Sequence, residues 1–246
     1  MSTVAVYSLK GGVGKTTLTI NLAWASAMRS ARRTLLWDLD PQAASTFLLG
    51  GDAAGRHPAQ SIFSKDVAAA KLIRGTAVER LDLLPADSSL RQLDHLFHAL
   101  DKKKRLSKLL EDLGGDYDRI LLDCPPGLTE TSEQVMRAAD LIVVPVVPSP
   151  LSQRAFDDVA AHLAQRGAKV PLLPVHAMVD RRRKLHADAL ARHPDWPVIP
   201  MASLIESVAV QRAPVGAFAP RSAGARAFND SWQVIERYLA ERVQRW

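Results

Sequence analysis

Between Thr3 and Met28 the chain reads as a strand, a glycine-rich turn and a helix, and no other stretch restricts the fold so tightly. Thr3 to Ser8 (TVAVYS) is short, apolar and rich in β-branched and aromatic residues, as a buried strand requires. Leu18 to Met28 (LTINLAWASAM) is a helical run. Between them lies Leu9-Lys10-Gly11-Gly12-Val13-Gly14-Lys15-Thr16-Thr17. Glycines let backbone N–H groups curl around phosphate oxygens, and the helix N-terminus adds its positive dipole end at the same place. Gly11, Gly12, Val13, Gly14, Lys15, Thr16 and Thr17 are therefore the candidate nucleotide-binding residues. Lys15 is placed to meet the β- and γ-phosphates, and the Thr16 hydroxyl to meet Mg²⁺.

The standard phosphate-loop pattern has glycine where this chain has Leu9, and here a second lysine, Lys10, precedes the double glycine. The K-G-G-x-G-K-T-T run resembles the deviant Walker A motif of the ParA/MinD family of ATPases. After Thr34-Leu35-Leu36-Trp37 comes Asp38-Leu39-Asp40-Pro41-Gln42, which resembles that family's D-x-D-P-Q switch I. Arg119-Ile120-Leu121-Leu122 runs into Asp123-Cys124-Pro125-Pro126-Gly127, which resembles its Walker B and switch II. The chemistry is coherent without the resemblance: an apolar strand ending in aspartate sets a carboxylate at the edge where α/β sheets bind ligands. The segments Val143 to Leu151, and Ile199 through Gly216 to Ala225, are similar to later parts of the family pattern. One position departs from it, because Met201 stands where relatives often carry arginine.

The resemblance implies an α/β fold, a mostly parallel doubly wound sheet flanked by helices, built as one P-loop ATPase domain over residues 1–246. It also implies an ATP-dependent homodimer with Mg²⁺ as cofactor and slow intrinsic hydrolysis. Lys10 would reach into the partner subunit's site while Lys15 acts within its own. Thr16 would bind the metal directly, Asp123 would do so through water, and Asp38 would support the metal shell and switch I. Asp40 would orient the attacking water. The catalytic candidates are thus Lys10, Lys15 and Asp40, and the metal candidates Thr16, Asp38 and Asp123. A ParB-like protein or cargo adaptor is the implied stimulating partner, and non-specific double-stranded DNA the implied track. No N/T-K-x-D tetrapeptide of guanine-specific P-loop proteins occurs, which favours adenine.

The remaining chain alternates short apolar strands with helical patterns, as βαβ units do. Strands are expected at Leu81–Pro85, Leu141–Val147, Val170–Met178 and Val198–Pro200. Helices are expected at Ser89–Leu100, Arg105–Leu113, Ser152–Gln165, Arg182–Arg192 and Gly224–Val243. The single cysteine, Cys124, excludes a disulfide framework and a multi-cysteine metal cluster in one chain, and reads as a small buried residue. No apolar run is long enough to span a bilayer and no signal peptide is recognised, so the expected location is cytoplasmic; the resemblance further implies association with the nucleoid. The phosphate loop starts too early to leave room for an N-terminal helix-turn-helix.

Charge narrows the partner. Lys and Arg number 32 against 26 Asp and Glu, a formal net charge of +6. Arg181 to Arg226 holds eight basic residues and only Asp188, Asp195 and Glu206 as acids. Arg181, Arg182, Arg183, Lys184, Arg212, Arg221 and Arg226 are the DNA-binding candidates, and the resemblance implies that they act on phosphates without reading sequence. The run Lys102-Lys103-Lys104-Arg105 is the other dense cluster and reads as a solvated helix start. A MinD-like membrane ATPase is the alternative, because Trp232 to Trp246 is amphipathic. The competing expectation for that stretch is a closing helix packed on the sheet through Ile235, Tyr238, Leu239 and Val243.

Overall fold

Strand β1 (Ser2–Val6) is hydrogen-bonded on both sides and sits at the middle of the molecule. In a computed structural model that describes residues 1–50, 57–99 and 104–243, seven more strands join it. They are β2 (Thr34–Asp38), β3 (Arg74–Gly75), β4 (Leu81–Leu84), β5 (Arg119–Asp123), β6 (Leu141–Val146), β7 (Leu172–Val179) and β8 (Val198–Pro200). The order is β3-β4-β2-β5-β1-β6-β7-β8. All neighbouring pairs are parallel except β3 on β4. The inner strands are buried on both faces, which is why β2, β5 and β6 read as unbroken apolar runs.

Helices cover both faces. Over one lie α1 (Lys15–Arg29), α2 (Ala44–Gly50) and the closing helix Ala223–Val243, around Val4, Val6, Leu36, Leu121, Val143, Phe228 and Trp232. Over the other lie Leu93–Ala99, Arg105–Leu113, Glu130–Ala138 and Pro150–Gln165, around Tyr7, Trp37, Phe97, Leu122 and Val144. Helix α1 is buried at every residue from Leu18 to Ala27, because the sheet and the closing helix enclose it. Within it, Asn21 donates to the Thr17 carbonyl at 2.8 Å and accepts from the Val215 amide at 2.7 Å. One buried amide therefore ties the end of the phosphate loop to a segment 194 residues away.

The same contact explains Gly216. A Cβ there would collide with the indole ring of Trp24, itself buried in α1. Gly216→Ala is expected to cost about 1–3 kcal/mol by overpacking. For a chain of this size that lowers the melting temperature by roughly 2–4 °C per kcal/mol. A thermal melt reads it directly, and an unchanged midpoint would refute the close approach.

Several sequence boundaries shift for local reasons. The helix expected from Ser89 to Leu100 is a 3₁₀ turn, Ser88–Gln92, followed by Leu93–Ala99, while Leu100 lies outside the described residues. Asp87 starts that turn by accepting from the Ser89 amide at 2.8 Å. The helix expected from Arg182 begins at Lys184, since Asp180 holds the Arg182 amide in a turn at 3.1 Å. Glu130–Ala138 was not legible as a helix: Thr131, Ser132, Glu133 and Gln134 are polar yet buried, which masks the apolar period. Its signal was the Thr129–Ser132 capping box. In the closing helix Ile235 and Leu239 are buried as expected, but Tyr238 is 40% exposed and not part of the core. The side chain of Val243 and residues 244–246 lie outside the described residues.

Candidate functional site

The loop between β1 and α1 turns on glycine. Gly12 and Gly14 sit at φ 73° and 87°, in the left-handed region, and Gly14 is the residue before the first turn of α1. Gly11 and Gly12 are exposed, and no protein atom comes within 4 Å of where a Cβ would stand on either. Their backbone is open to a ligand at the helix N-terminus. Thr16 and Thr17 are half-buried on the first turn, Val13 is buried, and Lys10 is half-buried at the loop's entry. Lys15 is 8% exposed, and its ammonium donates to the Lys10 carbonyl at 3.1 Å. Burial pulls the Lys15 ammonium below the ordinary lysine range, against the opposing charges of Asp123 and Asp40.

Sheet register supplies the acids. β2 pairs with β5 so that Asp38 stands beside Asp123, and β1 pairs on the other side with Val6 beside Asp123. Both carboxylates are buried at the carboxyl ends of adjacent strands, next to the loop. Burial pushes both above the usual carboxylate range. The charge of Asp123 adds to the rise at Asp38, whereas hydrogen bonds from Ser45 and Thr16 restrain it at Asp123.

Two hydroxyl residues on α2 hold this pair, and sequence reasoning missed both. Ser45 Oγ donates to Asp123 Oδ2 at 2.7 Å, and Thr19 Oγ1 to Asp123 Oδ1 at 3.3 Å. The Thr46 amide and hydroxyl donate to Asp38 Oδ2 at 2.9 and 2.8 Å, while the Asp40 amide donates to Asp38 Oδ1 at 3.1 Å. The available signal was the adjacent Ser45-Thr46 pair just after the D-x-D-P-Q run. Asp40 itself is half-buried in a turn, its Oδ1 accepting from the Gln42 amide at 2.9 Å. On the next loop, the Tyr7 hydroxyl donates to the Gly127 carbonyl at 2.9 Å, fastening the segment after Asp123 to the end of β1. Cys124 is fully buried, and burial raises its thiol well above the ordinary value, so it stays protonated and inert.

The donor set suits a hard divalent cation. Asp123, the Thr16 hydroxyl bonded to it and the neighbouring Asp38 are oxygen donors, and buried carboxylates raised by burial gain most from a cation. On the other flank of the loop, Val13, Thr17, Ile199, Pro200, Met201 and Ile205 line an apolar cleft of about 140 Å³. Met178, at φ 55°, sets its methyl 3.3 Å from the Cβ position of Gly14 at the same cleft.

The basic residues divide. Arg181 and Arg226 line one groove, together with Asp195 and Asp230, and Arg226 donates to the Arg221 carbonyl at 2.6 Å. Arg183 and Lys184 are exposed at the start of their helix. Arg182 is paired with Asp180 through two bonds of 2.9 Å. Arg212, at φ 44°, lies over the Phe47 ring of α2 with its guanidinium 4.0 Å from the centroid. It is thus engaged with the helix that holds the two aspartates.

Residues 1–168 match the model of an AAA domain family. The sporulation initiation inhibitor protein Soj of Bacillus subtilis (strain 168) is 36% identical over 145 residues, 58% of this chain and 57% of that protein. The chain therefore spans little more than half of Soj. The virulence plasmid ParA family protein pGP5-D of Chlamydia psittaci is 32% identical over 180 residues, covering 71% of this chain and 68% of that one. The chromosome partitioning protein ParA of Caulobacter vibrioides (strain NA1000 / CB15N) is 31% identical over 191 residues, 74% and 71% of the two chains. A crystal structure of cobyrinic acid a,c-diamide synthase from Mycobacterium smegmatis, with bound ATP analogue and magnesium, superposes at TM-score 0.81. It shares 26% identity and covers 97% of this chain and 95% of that one. The family model spans more than half of the chain, and the two ParA relatives are over 30% identical with more than two thirds of their length covered, so the chain belongs to the ParA/MinD family of P-loop ATPases.

Proposed function

We propose that this chain is an ATP-driven dimerisation switch that partitions or positions a cargo along DNA. The observation that carries the reading is the joining of a phosphate loop to two buried aspartates on neighbouring strands, held by hydroxyls of one short helix. Lys15 and the loop amides bind the β- and γ-phosphates, and the apolar cleft at Val13 and Ile199 takes the adenine. Thr16 and Asp123 would hold Mg²⁺, with Asp38 fixing the loop beside it. When bound, the ion would offset negative charge on the phosphates. Asp40, anchored through one oxygen by Gln42, keeps a carboxylate for orienting the attacking water. Lys10 crosses to the partner subunit's nucleotide, so the complete site forms only in the dimer.

Ser45 and Thr46 give the nucleotide a route to the surface. Any shift of Asp38 or Asp123 pulls on α2, and α2 carries Phe47 beneath Arg212. A ParB-like protein or cargo adaptor reads that change and stimulates hydrolysis. Alone, each protomer offers few phosphate contacts, and two protomers together turn them into useful affinity. The membrane alternative receives less support. The apolar side of the closing helix is occupied, with Trp232, Ile235 and Leu239 buried, and no described helix is long and apolar enough to cross a bilayer.

Duplex binding tests the reading. With ATP and Mg²⁺ the protein is expected to bind duplexes of unrelated sequence equally and to release them with ADP. Arg181→Glu combined with Arg226→Glu is expected to weaken binding at least about tenfold and to flatten its salt dependence. Equal binding in ATP and ADP would refute the switch. An unchanged affinity of the double variant would remove this groove from the DNA face.

A further inference from the structure

A cleft of about 710 Å³ lies between Arg105–Leu113, Glu130–Ala138 and Pro150–Gln165. Lys104, Arg137, Arg166 and Lys169 line it, drawn from three separate stretches of sequence, with Glu111 and Glu133 as the acids. Lys104 is the described end of a basic run that the nucleotide chemistry leaves without a role. The cleft borders Ala139 and Val170, just ahead of β6 and β7, whereas the phosphate loop follows the far end of β1. A strand of five or six residues, roughly 17–20 Å, separates the two.

Its chemistry is already displayed by one residue. Glu133 is 8% exposed, and its carboxylate lies 2.6 Å from His162 Nε2, 3.3 Å from Arg166 and 3.4 Å from Arg137. Cations that converge on one carboxylate are arranged to receive others. Between them, Met136, Leu163 and Val170 give the cleft an apolar floor. A duplex is too wide to enter a concavity between three helices, whereas an extended chain fits.

We propose that this cleft binds an acidic linear segment of a partner protein, with carboxylates on Lys104, Arg137, Arg166 and Lys169 and an apolar residue on the floor. The site is remote from the nucleotide, so the partner stays bound while ATP turns over. Glu133 occupies the cleft in the partner's absence and competes with it.

A fluorescein-labelled acidic peptide (EEDLEEDLEE) and its basic counterpart (KKRLKKRLKK) test this by anisotropy at about 50 mM salt, where surface charges are least screened. The acidic peptide is expected to bind and the basic one not to. Lys104→Glu combined with Lys169→Glu, which leaves the Glu133 pairs intact, should weaken acidic-peptide binding at least about tenfold, with basal ATP hydrolysis and the melting temperature unchanged. Glu133→Gln should tighten it about threefold, which a purely structural role for Glu133 would not do. Equal peptide binding by the charge-reversed and wild-type proteins would overturn the proposal. Displacement of the peptide by an unlabelled duplex would overturn it too, assigning the cleft to DNA.

Discussion

Replacing Lys15 with alanine is expected to lower ATP affinity by at least about 100-fold, the scale of losing one preorganised charge contact to phosphate. The structure gives the loss two sources. The ammonium is nearly buried, so it meets phosphate in a medium that screens little. It is also held back across the loop by the Lys10 carbonyl, at 3.1 Å, and so is poised before nucleotide arrives. Mg²⁺ retention should fall in parallel, because the phosphates that share the ion are lost, even though Asp123 is freed of a competing cation. Isothermal titration with ATP and Mg²⁺ measures both. The fold should survive, since the helix that starts at Lys15 is fixed by Leu18 to Ala27 inside the core. Near-normal affinity would mean that the phosphates lie elsewhere.

Asp40→Ala should act on a different step. ATP binding and dimerisation are expected to persist, while hydrolysis drops on the order of 10²–10⁴-fold, the usual worth of a positioned general base. Asp40 Oδ1 is held within its own turn, where it accepts from the Gln42 amide. Its removal therefore leaves the loop, Lys15 and Asp123 in place. The variant should accumulate as an ATP-bound dimer that stays on DNA, seen by single-turnover hydrolysis alongside sedimentation with a duplex. Hydrolysis at the wild-type rate would exclude Asp40 from the water's path. Loss of ATP binding would instead make it part of the phosphate site.

Much of this was legible before any coordinates. A phosphate loop between strand and helix, and two apolar strands ending in Asp38 and Asp123, contain the layout of the nucleotide edge, because fully buried parallel strands leave an unbroken apolar signature. What stayed hidden depends on contacts between distant segments. Ser45 and Thr46 look like ordinary polar residues until the sheet brings Asp123 and Asp38 above them. Glu130–Ala138 buries polar side chains satisfied by partners such as Asp94, which accepts from the Thr131 hydroxyl at 2.7 Å, so its core face is not apolar. The basic window looked like one patch in sequence. In space Asp180 takes Arg182 and Phe47 takes Arg212, while Arg181 and Arg226 share one groove, Arg226 reaches the Arg221 carbonyl, and Arg183 and Lys184 stand exposed at a helix start.

The central place of β1 has a consequence in time. Its two partners, β5 and β6, begin at Arg119 and Leu141, so the ribosome makes the first strand long before either neighbour. At translation rates of roughly 5–20 residues per second, β1 and the apolar α1 wait on the order of 10 s for the pairing that buries them. The loop after β1 is thus made well before the strands that flank it, and takes its final shape only once they pair. Through that interval the nascent chain carries an unpaired apolar strand and helix, the kind of surface that chaperones hold.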